Sequence, residues 1–394
     1  MSSFRHRYGL FLLLCFIAFA TFFCSYLRIP VLPLFAVSLG AGPVQVGIIN
    51  GAFMLATGVL SIPAGLLADR IGPRIPAVAG IMAAAVSSFL VTQCTTPSQM
   101  AAAYLLFGVG LAAFVPSMLS QVADAFPAER LGQAYGWYST AMYVAITLGP
   151  ATGGYLGKLL GLRQVFSLSA GLLLLVALLS LAFLPRSPVV RKVAPHDLLA
   201  ASLTLLRNRE LVACLLVVWG AAMGFGIFLS FFPLYASGKG LDPAQVGLVF
   251  GAQAVTNVFS RIPVGIATDR FDRRLIVAVG VLFFAVGLSL LGLFRQTASL
   301  SACAVVLGIG MAFIFTAVGA LIAVSVPPVQ RGLAMGMYNT SVYLGMMAGS
   351  TTIGVCIAAT GYPVGFALGG LAAVAGLFAF LRVLRICHHS GKRN

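Results

Sequence analysis

Apolar residues run along this chain in long blocks, separated by short polar breaks. Blocks such as Leu10–Ala20 and Leu172–Leu184 leave almost no polar face for water. About 20 such residues, each rising 1.5 Å, cross the hydrocarbon core of a bilayer as a helix. Dividing the chain at its charged or Pro/Gly-marked breaks predicts twelve spans: 8–27, 44–68, 76–94, 99–122, 132–157, 164–184, 210–235, 244–268, 275–294, 299–325, 333–358 and 364–384. One long polar stretch, 185–209, parts them into two groups of six. The pattern therefore predicts an all-α membrane protein: an N-terminal six-helix bundle (1–184), a central loop (185–209), and a C-terminal six-helix bundle with a short tail (210–394).

Composition agrees. The chain is 60% hydrophobic with a mean hydropathy of +1.04, and 8% of its residues are charged, against roughly a quarter in soluble domains. The first block lies behind Arg5 and Arg7. No small-residue cleavage site follows it, so it reads as a retained helix and not a signal peptide. With the N-terminus placed in the cytoplasm, 18 of the 24 lysines and arginines fall on cytoplasmic segments, five on outer segments and Arg261 inside a span. That asymmetry places both termini in the cytoplasm. It also accounts for the net charge of +16 without a nucleic-acid partner. The seven cysteines are scattered through apolar runs, where they read as small apolar residues; neither a metal site, a disulfide nor any cofactor is expected.

The two halves repeat each other. Shifted by 200 residues, 43–74 matches 243–274 at 12 of 32 positions, including Gly47/Gly247, Gly51/Gly251, Pro63/Pro263, Gly65/Gly265, Asp69/Asp269, Arg70/Arg270 and Arg74/Arg274. In the same register 132–154 matches 332–354 at 9 of 23, including Tyr138/Tyr338, Tyr143/Tyr343 and Gly149/Gly349. Two segments in one ungapped register predict duplicated, pseudo-symmetric bundles, a transporter plan.

The repeat contains a charged turn, "GLLADRIGPR" at Gly65–Arg74 and "GIATDRFDRR" at Gly265–Arg274. Gly65 lets a neighbouring helix approach closely. Asp69, at the end of span 2 beside Arg70 and Arg74, can pair with arginines or meet the positive end of an adjacent helix. Such a latch would hold one conformation and break in the other. Its candidate residues are Gly65, Asp69, Arg70, Arg74, Arg130, Gly265, Asp269, Arg270 and Arg274.

These residues resemble the signature of the major facilitator superfamily, whose loop between helices 2 and 3 reads G-x-L-A-D-R-x-G-R-R; Pro73 departs from it. "AITLGPATGG", Ala145–Gly154, is similar to the G-x(3)-G-P-x(2)-G-G element of the drug/proton antiporter branch, with Ala145 in place of the leading glycine and Gly149, Pro150, Gly153 and Gly154 retained. Pro150 removes a backbone hydrogen bond and bends the helix, while the glycines permit tight packing against the other half. "IPVLPLF", Ile29–Phe35, at the end of span 1 also looks like that branch. The resemblance implies a monomeric, inner-membrane, alternating-access transporter of a small organic molecule, most readily an exporter. An importer or exchanger of an organic anion is the alternative.

Two departures bear on mechanism. Where the branch carries an arginine in helix 4, this chain has Tyr104. All eight acids and all four histidines fall in loops or at helix ends, so no mid-membrane carboxylate is available to carry a proton, and the coupling ion is left open. The resemblance implies a cavity between the halves. Polar positions within the spans give its candidate residues: Tyr26, Arg28, Asn50, Gln121, Tyr138, Tyr143, Gln253, Asn257, Arg261, Tyr338 and Asn339. Arg261 either binds an anionic substrate or pairs with Asp124 or Glu129. The paired tyrosines are either cavity walls or packing aromatics.

Overall fold

The computed structural model describes residues 2–125, 131–185, 202–327 and 330–390, excepting the side chains of 2–8, 69, 131–133, 269 and 385–390. Among the described residues twelve long helices carry the fold. Helix α1 is broken into Ser2–Tyr26 and Val31–Ser38. It is followed by α2 (Pro43–Ile71), α3 (Arg74–Gln93), α4 (Pro97–Ala125), α5 (Leu131–Leu160) and α6 (Leu162–Phe183). The second half holds α7 (Arg209–Gly238), α8 (Pro243–Arg270), α9 (Arg273–Leu291), α10 (Thr297–Ser325), α11 (Arg331–Thr360) and α12 (Tyr362–Ser390). Helices reverse direction at each connection, so both termini lie at one end of the molecule, here the terminal end; the opposite end is the distal end.

The first span does not stop near residue 27. Tyr26–Pro30 forms a turn whose Arg28 carbonyl accepts from Val31 N (3.1 Å) and Leu32 N (2.8 Å), and the chain resumes as Val31–Ser38. Proline supplies the reason, since Pro30 has no N–H for a continuous helix and its fixed φ suits a helix start. Ten of the spans are long and apolar enough to cross a membrane among the described residues; α5 and α8 fall short of that measure. They pack on each other between the halves.

Each half has its own hydrophobic core, one drawn almost wholly from residues 11–184 and one from 205–384. The repeat governs their construction. Gly80 and Gly110 let α3 and α4 touch backbone to backbone, and Gly280 and Gly310 do the same for α9 and α10. Thr57 Oγ1 donates to the Gly108 carbonyl (3.2 Å), while at the matched positions Asn257 Nδ2 donates to the Gly308 carbonyl (3.3 Å). Gly40 (φ 86°) and Gly240 (φ 88°) both adopt the left-handed backbone that ends the first helix of each half, a conformation costly for other residues.

Helix starts are specified locally. Asp242 Oδ1 accepts from Gln245 N while Gln245 Oε1 accepts from Asp242 N (both 2.9 Å), a reciprocal cap with Pro243 in the first turn. Asn208 Oδ1 caps α7 by accepting from Glu210 N (3.0 Å) and Leu211 N (3.2 Å). The repeated charged turns are built differently. Gly72 takes φ 87° in the first; in the second Asp272 Oδ1 accepts from Arg274 N (2.9 Å).

Candidate functional site

The halves meet along two seams, α2 against α11 and α5 against α8. Glycines at matched repeat positions make them close. A Cβ on Gly47 would fall inside the Ser350 carbonyl oxygen, and one on Gly247 would lie 2.7 Å from the Pro150 carbonyl oxygen. Gly51 faces the Thr351 side chain and Gly251 faces Ala151. Gly154 abuts the Pro243 carbonyl and Gly247, and Gly354 lies against Pro43 and Val44. All these positions are at the distal end.

Hydroxyls add to the distal contact. Ser350, the counterpart of Pro150, donates from Oγ to the Gly47 carbonyl (2.9 Å) and so accepts from Ser230 Oγ (2.7 Å), joining α7, α11 and α2. Lys158 Nζ donates to Asp242 Oδ2 (2.8 Å) across the α5–α8 seam. Toward the terminal end the seams loosen. Gly336 meets Ile62 of the other half only at 3.7 Å, and an added Cβ on its repeat counterpart Gly136 meets no atom within 4 Å. The molecule is closed distally and looser at the end that carries its termini.

The Lys158–Asp242 pair lies just beyond the spans. Its hydrogen bond holds the Asp242 carboxyl below the ordinary carboxylate range and the Lys158 ammonium above the ordinary lysine range. For a depressed carboxylate the stabilising contribution is present above its unperturbed pKa of about 4, and is lost as pH falls through the lowered value. For a raised amine it is present below about 10.4 and lost as pH rises through the raised value. Distal closure is therefore expected to be flat in pH between about 5 and 9 as far as this pair is concerned. Asp242→Asn should raise distal-end labelling by less than about fivefold, because the pair is exposed. Labelling of a distal cysteine across that range checks both statements.

Between the seams stands a polar and aromatic group. The Arg261 guanidinium sits over the Tyr143 ring, 4.1 Å from its centroid, and Arg261 Nε donates to Asn257 Oδ1 (3.1 Å). Tyr26, Tyr143, Tyr338, Tyr343 and Arg261 lie near enough to interact electrostatically. They come from α1, α5, α8 and α11, so the group spans both halves. Gly58 admits Tyr343 at 3.2 Å from an added Cβ, and Thr340 Oγ1 donates to the Gly58 carbonyl (3.1 Å).

The other candidate residues have different settings. Arg28 is fully buried within the first half and reaches α3 and α4, not the seam. Asn50 Nδ2 turns to its own helix at the Val46 carbonyl (3.4 Å), and Gln253 Nε2 donates to Met311 Sδ (3.1 Å). Tyr138 belongs to the first half's core, whereas its counterpart Tyr338 is half-buried and meets Phe315 edge-on. Gln121 is buried with neither amide atom hydrogen-bonded, and Asn339 is exposed. Among the described residues Arg261 forms no ion pair, so the expected pairing with Asp124 is not made; the other expected partner, Glu129, lies outside them.

In the helix 5 element, Gly149 and Gly153 accommodate Tyr26 and Leu27 of α1 in the same half; Gly154 is the one that contacts the other half. Of the latch residues, Gly65 has Pro116 at ordinary contact distance (3.5 Å) and Gly265 has open space. Arg70 and Arg270 are exposed. Arg74 donates to the Leu181 carbonyl, and Arg274 lies 3.8 Å from Glu210. Arg130 and the side chains of Asp69 and Asp269 lie outside the described residues. Ser230, Ser350, Lys158 and Asp242 were missed from sequence. The Pro150-to-Ser350 change within the repeat, and opposite charges at the ends of α5 and α8, were the available signals.

Two repeated six-helix membrane bundles, meeting along seams closed at one end around a polar group, define a multi-pass transporter and not an enzyme. The chain belongs to the Major Facilitator Superfamily, whose sequence profile matches residues 14–242 and 214–393. It is 25% identical over 382 residues to an uncharacterized MFS-type transporter of Methanocaldococcus jannaschii, covering 94% of this chain and 98% of that one. It is 25% identical over 359 residues to the multidrug efflux protein YfmO of Bacillus subtilis, covering 89% and 87%. A mutant form of the nucleoside transporter NupG superposes with a TM-score of 0.79 at 16% identity, covering 95% of this chain and 99% of that one.

Proposed function

We propose that the protein is an alternating-access efflux permease of the inner (plasma) membrane, acting on a small organic molecule. The lysine and arginine bias puts the terminal end in the cytoplasm, so the described conformation is inward-open. The observation that carries the reading is the uneven seam: tight glycine contacts distally, a loose contact at Gly336 and open space at Gly136 toward the other end. The halves 1–184 and 210–394 rock against each other about the Tyr/Arg group, joined by residues 185–209. Efflux as the direction is supported by similarity to YfmO and by the Gly149–Gly154 element. The substrate is neutral or anionic, because all eight acids fall in loops or at helix ends and none would hold a lipophilic cation in mid-membrane.

The test is transport by proteoliposomes against a panel of lipophilic cations, neutral aromatic compounds and organic anions. Movement of neutral or anionic compounds from the cytoplasmic to the outer face is expected. Net accumulation in the opposite direction, or transport confined to cations, would overturn the reading. A second reading, exchange of an organic anion, is favoured by one observation: Arg261 stands at the seam without an ion pair among the described residues.

The charged turns act as the cytoplasmic latch. Asp69→Asn is expected to cut transport at least tenfold at equal protein level, because the closed cytoplasmic end loses its hold. Asp269→Asn should cost less, since its turn departs further from the first. Wild-type rates in Asp69→Asn would remove the latch.

A further inference from the structure

We propose that Arg28 binds a small monovalent inorganic anion, of chloride size, inside the N-terminal bundle at its distal end. Arg28 is 0% exposed. Its Nη1 donates to Ser88 Oγ (2.7 Å) and its Nε to the Ser25 carbonyl (3.3 Å). Its face is covered by the Phe107 ring at 4.1 Å, with Tyr104 at 5.6 Å. The rings stabilise the cation through its face but accept none of its in-plane N–H bonds. That leaves Nη2 buried and without a hydrogen-bond partner, and Ser25 Oγ on the same turn is orphaned as well. Thr21 Oγ1, one turn further into the bundle, is a third buried oxygen without a partner.

A buried cation needs a counter-charge, and among the described residues no carboxylate pairs with Arg28. Asp69 and Asp124 lie at the terminal ends of α2 and α4, and Glu129, the other acid of the first half, lies outside the described residues. Asp242 shares the distal end with Arg28 but is held by Lys158 at 2.8 Å. The counter-ion therefore comes from solution. It lies in the guanidinium plane beside Nη2, where Ser25 Oγ can turn its hydrogen to it, and full enclosure selects a compact ion over an organic one. Tyr26 and Leu27, on the adjoining turn, are the residues packed on Gly149 and Gly153, so an occupied site stiffens the distal wall of the cavity.

The test follows thermal unfolding of the full chain in detergent micelles as sodium gluconate is exchanged for sodium chloride or bromide at constant ionic strength. No transport substrate is present, so the result is independent of the efflux reading. A saturable rise of the midpoint by about 2–4 °C is expected in either halide. It should vanish in Arg28→Gln and persist, weakened, in Arg28→Lys. Coincident halide and gluconate curves for the wild type, or an undiminished halide rise in Arg28→Gln, would overturn the proposal. Should Arg28→Gln not fold, Ser25→Ala carries the test. The halide concentration at half-effect should rise severalfold, and an unchanged value would overturn the site.

Discussion

Gly154→Val is expected to abolish transport while the protein remains folded and membrane-inserted. Gly154 packs on the Pro243 carbonyl and on Gly247 of the opposite half, so a branched side chain meets its obstacle only when the distal seam is shut. Overpacking of a tight contact costs about 1–3 kcal/mol. Here that cost falls on one of the two conformations, and it shifts their ratio by roughly tenfold to a hundredfold. Initial transport rates at equal protein level should fall at least tenfold. Labelling of an engineered distal cysteine by a membrane-impermeant reagent should rise in parallel. Gly171→Ala is the control: it lies on α6, in neither seam nor latch, an added Cβ there meets nothing within 4 Å, and its rate should stay within about twofold of wild type. Equal rates for Gly154→Val and wild type would mean that distal closure is not part of the cycle.

The second large effect is expected at Arg261. Its guanidinium lies over Tyr143 of the other half at 4.1 Å and is fixed by Asn257 at 3.1 Å. Arg261→Ala removes the charge that an organic anion would meet and also a cation–π contact worth about 0.5–2 kcal/mol. Transport of organic anions should fall about thirtyfold or more, and that of neutral compounds only a few-fold. Arg261→Lys keeps the charge but not the flat, forked donor, and should lie between. Tyr143→Phe should be nearly silent, because the ring and not the hydroxyl makes the contact. A uniform loss across anionic and neutral compounds would assign Arg261 to coupling the halves instead of binding.

Much of this architecture could be read from periodicity and from the 200-residue register. Gly47/Gly247 and Gly51/Gly251 stood out as identities, and they recur because each half must approach the other at the same height. The same register does not tell which face a glycine serves: Gly149 and Gly153 serve the α1–α5 contact and Gly154 the α5–α8 contact, a distinction made by helix rotation. The break in α1 was marked by Pro30 and Pro33, yet an apolar run on both sides concealed it. Arg28 misled for a related reason. An arginine at a helix end is ordinarily solvated, and only the approach of α3 and α4 shows it enclosed by Ser88 and Phe107. Ser350 was legible as a departure from Pro150, but its hydrogen bond to Gly47 needs the partner helix in place.

The most direct test of alternating access is a pair of electron–electron spin distances, taken with and without a transported compound. One pair of labels goes at positions 39 and 239 at the distal end, the other at 71 and 271 at the terminal end; both are repeat-related positions on opposite halves. The account predicts opposed changes: as the distal distance lengthens, the terminal distance shortens. Distances that stay fixed, or that lengthen and shorten together, would contradict it.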